Sequence, residues 1–262
     1  MFPGQGSQRE PSDPAVIDSA RRILGFNPFE ADKINLTAYA QPAILSYSVA
    51  VLRTLDSKPN YLAGHSVGEY TALVAGGVLS FEEALKAVHY RGQVMQEAVP
   101  VGQGGMLAVL GEDPDKLAWL CEQVSGTVAV ANYNGPAQTV LSGDTEGLTA
   151  IQERLKQEGI KKVLPLPVSA PFHCKLMKPA QEKLADYLAQ LDFQDSNTPI
   201  MSNVTAKPET SGVKLRELLI QQVTAPVRFT QIIRFLKSVG VTELIEVGPG
   251  KTLTNIVKRM GG

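Results

Sequence analysis

Apolar positions recur at helical spacing most clearly between Ser80 and Glu97, where Phe81, Ala84, Leu85, Val88, Gly92 and Met95 share one stripe. Ser80 and Glu83 stand at the spacing of a capping box, which predicts a helix beginning at Phe81. The rest of the N-terminal third alternates short apolar runs with helical patterns, as parallel βα units do. The middle changes rhythm. GMLAVLG (105–111) reads as a strand, followed by a helix over DPDKLAWLCEQVS (113–125) with Asp113 as N-cap, Pro114 in its first turn and Leu117, Leu120, Cys121 and Val124 on one face. TVAVAN (127–132) and QTVLSG (138–143) read as two strands about the turn Tyr133-Asn134-Gly135-Pro136. A second helix carries Leu148, Ile151 and Leu155 and stops at Gly159, and IKKVLPLPV (160–168) supplies a fourth strand.

The resulting order, β-α-β-β-α-β, is that of a ferredoxin-like module. It reads as an insertion, residues 101–168, in an α/β core made of residues 1–100 and 169–262. Later core strands are predicted at TPIMSNV (198–204) and VTELIEV (241–247), each ending in the polar or Gly-rich residues beside which α/β sites usually lie.

Composition narrows the class. With 262 residues, 44% hydrophobic and 19% charged, the chain can bury a sizeable core and is not disordered as a whole. Its 25 Lys and Arg against 26 Asp and Glu leave no basic excess for nucleic acid. Cys121 and Cys174 cannot frame a disulfide scaffold, which suits a reducing cytoplasm. The longest apolar run, Ala72 to Leu79, is short and interrupted by Gly76 and Gly77, and MFPGQGSQ has no signal-peptide pattern. The expectation is a cytoplasmic protein that engages neither membrane nor nucleic acid.

The sharpest chemical signal is Gly64-His65-Ser66-Val67-Gly68, between the strand-like NYLA and the helix pattern EYTALVAGGV. This is the nucleophile elbow G-x-S-x-G in its strand–turn–helix setting. The turn projects the serine hydroxyl beside a helix N-terminus, whose free N–H groups suit a developing oxyanion. A glycine-rich turn with an incidental serine is the bland alternative. Serine needs a base, and only His65, His89 and His173 are available. His65 adjoins the serine and should point away from it; His89, on the 80–97 helix, suits a solvated or capping role. His173 follows a strand in a Pro-bounded loop and is the best placed, though such a histidine can equally be structural. Arg91 falls beside Ala84 and Val88 at the edge of the apolar stripe. It either snorkels, forms an internal ion pair, or pairs with a bound carboxylate. Cys174 reads as a small apolar residue, Lys161-Lys162 as a solvated face, and FPGQGSQ (2–8) as a weak phosphate loop without a P-loop lysine.

Beyond these single features lies a colinear set: FPGQGSQ (2–8), QPA (41–43), GHSVGEY (64–70), RG with MQEAVP (91–100), APFH (170–173), SNV (202–204), QQVTAPVRF (221–229) and EVGPG (246–250). It resembles the malonyl-CoA:acyl carrier protein transacylases, a family shared with polyketide synthase acyltransferase domains. Against that pattern, the first strand is reduced to Met1-Phe2, and the stretches from Gln8 to Ala20 and from Leu55 to Tyr61 are short. The resemblance implies an α/β-hydrolase-like parallel-sheet core with an inserted ferredoxin-like subdomain. It implies Ser66 as acylated nucleophile, His173 as base, and the main-chain carbonyl of Gln222 as the histidine's orienting partner. Gln5 and Val67 would form the oxyanion hole, Arg91 would hold the malonyl carboxylate, and Phe172 would bear on donor choice. Malonyl-CoA and acyl carrier protein are the implied partners, with no bound cofactor or metal and a monomeric state. A serine hydrolase is the rival, but its histidine would lie near the C-terminus, and none follows His173. A non-catalytic carrier-binding module would leave both Ser66 and His173 without a use.

Overall fold

The computed structural model describes every residue except Ser57, Ala137, Ser169 and Gly262, so the expected domain boundary at residue 169 lies outside the described residues. The N-terminal part is mostly helical. Helix α1 (Pro14–Leu24) is capped by Asp13, and α2 (Thr37–Leu52) is apolar on nearly every side, so it runs through the core instead of along its surface. Strand β1 (Leu62–Ala63) leads into the elbow and α3 (Gly68–Ala75), and α4 (Phe81–Glu97) packs along α2. The capping box forms: Ser80 Oγ accepts from the Glu83 N–H at 3.2 Å, and the Glu83 carboxylate accepts from the Ser80 N–H at 2.9 Å.

Next comes the four-stranded unit: β2 (Gly104–Leu110), α5 (Pro114–Glu122), β3 (Val128–Tyr133), β4 (Gln138–Asp144), α6 (Thr145–Gln157) and β5 (Val163–Pro165). Its strands lie in the order β3-β4-β2-β5, every neighbouring pair antiparallel. Alternation along β2 decides what each face does. Leu107 and Val109 pack with Leu117, Leu120, Ile151 and Leu155 of the two helices, while Met106 joins Ala131 and Val140 against the main core. The fourth strand is shorter than IKKVLPLPV predicts, because Pro165 and Pro167 cannot donate to a ladder.

The chain then returns to the core through a 3-10 turn (Lys175–Met177), α7 (Lys178–Leu188), β6 (Ile200–Met201), β7 (Pro208–Glu209), α8 (Gly212–Gln222), α9 (Phe229–Ser238) and α10 (Thr252–Lys258). Strand β6 pairs parallel with β1 and antiparallel with β7, and Phe2 makes a parallel bridge to Gly64. The strand predicted at VTELIEV does not form a ladder. At its start the Val241 N–H closes the end of α9 on the Leu236 carbonyl at 3.0 Å; further on its backbone meets Met1, whose ammonium donates to the Ile245 carbonyl at 2.6 Å and whose carbonyl accepts from Val247 at 2.8 Å. A one-residue partner cannot set a register. The four-stranded unit is tied to the core where Tyr133 N–H meets the Val227 carbonyl at 2.9 Å and Val227 N–H meets Ala131 at 2.8 Å.

Candidate active site

The elbow is built by close approach. A Cβ on Gly64 would come within 2.0 Å of Gly68 backbone, and one on Gly68 within 2.2 Å of the Phe2 carbonyl oxygen, so neither position admits a side chain. Between them Ser66 sits at φ 53°, a left-handed conformation that costs a non-glycine residue about 1–2 kcal/mol. Asn203 holds the turn from beneath: its Oδ1 accepts from the Ser66 N–H at 2.7 Å and its Nδ2 donates to the Gly64 carbonyl at 2.6 Å. TPIMSNV keeps only two residues in the sheet because the chain turns after Met201, where the Ser202 N–H donates to the Lys207 carbonyl at 3.0 Å.

His173 also has a positive φ, 59°, and is buried. Its Nδ1 lies 2.9 Å from the Gln222 carbonyl oxygen, an acceptor only, so Nδ1 carries the proton and Nε2 is left as the acceptor. Nε2 lies 2.8 Å from Ser66 Oγ, whose hydroxyl therefore donates to it. Burial, with the Arg91 charge adding to it, pushes the His173 pKa down to about 3, so the ring is neutral and free to take a proton near pH 7.

Arg91 is wholly inside the protein, at 1% exposure, deeper than its place at the edge of the stripe implies. It neither snorkels nor forms an ion pair among the described residues. Nη1 donates to Gln41 Oε1 at 2.8 Å, and Nη2 donates to Gln222 Oε1 at 2.8 Å and to Ser66 Oγ at 3.1 Å. A cation held only by neutral oxygens beside a serine is a ready receptor for a carboxylate.

Comparison with known proteins gives the family of the chain. The acyl transferase domain family matches residues 22–261. The malonyl CoA-acyl carrier protein transacylase of Bacillus subtilis strain 168 is 42% identical, covering 99% of this chain and 89% of the relative. The protein of the same name from Escherichia coli K12 is 40% identical, covering 99% and 91%. The chain belongs to the malonyl CoA-acyl carrier protein transacylase family. Among solved structures, the acyl carrier protein S-malonyltransferase of Vibrio cholerae O1 superposes with a TM-score of 0.94 at 40% identity, covering 99% of this chain and 92% of that one. A malonyl-transacylase in complex with its type II PKS acyl-carrier protein gives 0.94 at 38% identity, covering 99% and 91%.

In this transacylase-family chain, Ser66, His173 and Arg91 open onto a cavity of about 420 Å³ between the core and the four-stranded unit. Gln5 and Phe172 line it too, with Met106 from β2 and Leu166 and Val168 from the segment after β5. Val67 is buried at the start of α3, and neither its N–H nor that of Gln5 is hydrogen-bonded among the described residues. Cys174 is buried, with its thiol 3.2 Å from the Pro171 carbonyl and its pKa raised by burial, as befits a small apolar residue. His89 is half-buried. Its Nδ1 donates to the Ala38 carbonyl at 2.9 Å and its ring packs on Phe26, tying α4 to α2. His65 also borders the cavity, with Nε2 2.8 Å from Asn134 Oδ1.

Sequence reasoning assigned no role to Gln41, Glu69 or Asn203, although QPA, GHSVGEY and SNV contain them. Glu69, 1% exposed, accepts from Gln222 Nε2 at 2.6 Å and from the Asn203 N–H at 3.2 Å. Burial raises its pKa to about 7, against the opposing pull of those hydrogen bonds and of Arg91.

Proposed function

We propose that this chain transfers malonyl from malonyl-CoA to the phosphopantetheine thiol of acyl carrier protein, by a ping-pong reaction through a malonyl-Ser66 ester. The observation that carries the reading is that Ser66 Oγ lies within hydrogen-bond reach of both a neutral histidine and a buried arginine. His173 Nε2 takes the serine proton as Oγ attacks the thioester carbonyl. The main-chain N–H groups of Gln5 and Val67 receive the oxyanion, with the α3 N-terminus adding its partial charge. Collapse expels coenzyme A, whose sulfur takes the proton back from His173. In the second half the carrier thiol gives its proton to His173, attacks the ester, and Ser66 leaves protonated. The Gln222 carbonyl keeps the imidazole in its reactive tautomer throughout.

Arg91 stays held by Gln41 and Gln222 and exchanges its contact with Ser66 Oγ for the malonyl carboxylate, anchoring one end of the donor while the thioester meets Ser66. Phe172, in the wall of the same cavity, limits the space beside the malonyl α-carbon. The β3-β4-β2-β5 order supports reading residues 101–168 as a ferredoxin-like insertion in an α/β-hydrolase-like core. The corresponding enzyme is monomeric and cytoplasmic and needs no cofactor.

Intact-mass measurement tests the proposal. Malonyl-CoA alone should add one malonyl group, mapped to Ser66, and holo-carrier protein should then remove it as malonyl-carrier. Ser66→Ala should stay unlabelled. Labelling at Cys174, or release of free malonate at the rate of transfer, would point to a different chemistry.

A further inference from the structure

Among the described residues, Glu69 is the one buried carboxylate, it lies in the polar floor beneath the elbow, and the acyl-transfer steps give it no task. It sits in the first turn of α3, and a single oxygen, Oε2, accepts from both Gln222 Nε2 and the Asn203 main-chain N–H. The Asn203 N–H cannot turn around, so this corner of the floor must present an acceptor. An amide, by contrast, can face either way. Gln222 is therefore steered: with Nε2 drawn most closely to Glu69, at 2.6 Å, and less closely to the Ser66 carbonyl, at 3.2 Å, its Oε1 has to point at Arg91, which it meets at 2.8 Å. Reversed, the amide would set an NH₂ group against a guanidinium that can only donate.

Building on the transacylase reading, we propose that Glu69 is a positioning residue for the malonyl donor: its carboxylate fixes the direction of the Gln222 amide, which aims Arg91. The chain of contacts runs Glu69, Gln222, Arg91, Ser66, with distances of 2.6, 2.8 and 3.1 Å. What matters in this device is an acceptor at a given reach, more than a charge. Burial, which makes the charged carboxylate costly here, is consistent with that order of importance.

Two conservative variants separate reach from charge. Glu69→Asp keeps the charge and withdraws the oxygen; Glu69→Gln keeps the reach, and the fixed Asn203 N–H holds its carbonyl oxygen in the corner. Ser66 acylation is followed by rapid-quench mass spectrometry with malonyl-CoA and with acetyl-CoA, on proteins whose folding is checked by circular dichroism. Glu69→Asp should slow malonyl acylation roughly 10-fold to 100-fold, the loss expected for one hydrogen bond to a charged group. Acetyl acylation should fall less, because acetyl offers Arg91 no carboxylate, so the malonyl-to-acetyl ratio drops. Glu69→Gln should recover most of that ratio. If the two donors fall equally, or Glu69→Gln proves worse than Glu69→Asp, amide steering is overturned. Should Glu69→Asp not fold, Gln222→Met removes the steered amide while keeping the main-chain carbonyl, and an unchanged ratio there overturns the proposal. Native protein that takes up no malonyl would instead overturn the transacylase reading, and this inference with it.

Discussion

Arg91 carries its charge where water does not reach, and its Nε has no partner among the described residues. Removing one partner of a buried charged pair costs about 2–5 kcal/mol, part of it for the group left behind. Arg91→Ala should therefore lower kcat/KM for malonyl-CoA by roughly 30-fold to several thousandfold while sparing acetyl-CoA. Equal losses for both donors in a folded protein would leave Arg91 a structural residue. Arg91→Ala should also raise the His173 pKa, since the guanidinium helps to depress it. The acid limb of the acetyl-transfer pH profile should move to higher pH.

Two buried groups at this scale titrate in opposite senses. His173 is held down from 6.5 to about 3, so stability from this group is lost as pH falls through that range. Glu69 is held up from 4.5 to about 7, so its contribution is lost as pH rises through that range. Between 4.5 and 6.5 the unfolded chain protonates the histidine and the folded chain the glutamate, and the two slopes cancel. Glu69→Gln should unmask a rise in stability of about 1.4 kcal/mol per pH unit across that window, read from urea melts. A slope equal to that of the native protein would mean that Glu69 titrates as an ordinary carboxyl.

At the scale of elements, what was legible in the sequence was whatever has local chemistry. The α4 helix announces itself through Ser80 and Glu83, and the elements of the four-stranded unit each carry their own period of apolar residues. The core sheet was far less legible, because strands as short as Leu62–Ala63 and Ile200–Met201 show no alternation, and VTELIEV has the apolar look of a strand without a neighbour to pair with. Ser66 could be read from the spacing of two glycines, and His173 only by elimination and family likeness. Glu69 and Asn203 could not be assigned roles, because their partners lie 153 and 137 residues away along the chain. The elbow is also the most intolerant element. Gly68→Ala would drive a methyl into the Phe2 carbonyl and should cost at least the roughly 1–3 kcal/mol typical of overpacking. A denaturation midpoint unchanged from the native protein would mean that the Met1-Phe2 stub yields freely.

Across the whole molecule, the cavity belongs to no single layer: Ser66, Arg91 and His173 come from outside the four-stranded sheet, and Met106 and Asn132 from its strands. A donor lodged there should brace one unit against the other. In Ser66→Ala, which should form no acyl ester under the proposed chemistry, malonyl-CoA at about 100 times its Kd should stabilise the fold by ~2.7 kcal/mol. Amide exchange should slow on both β2 and α4, and protection confined to α4 would place the donor outside the shared cavity.

The contact between His173 and the Gln222 carbonyl has a consequence during synthesis. Ser66, His173 and Gln222 emerge from the ribosome in that order, with Gln222 last, 156 residues behind Ser66. Until that residue is out and α8 has wound, nothing holds the imidazole in its reactive form. Under the proposed chemistry, a chain that ends before Gln222 should form no malonyl-Ser66 ester, so the reactive site would be assembled only late in synthesis.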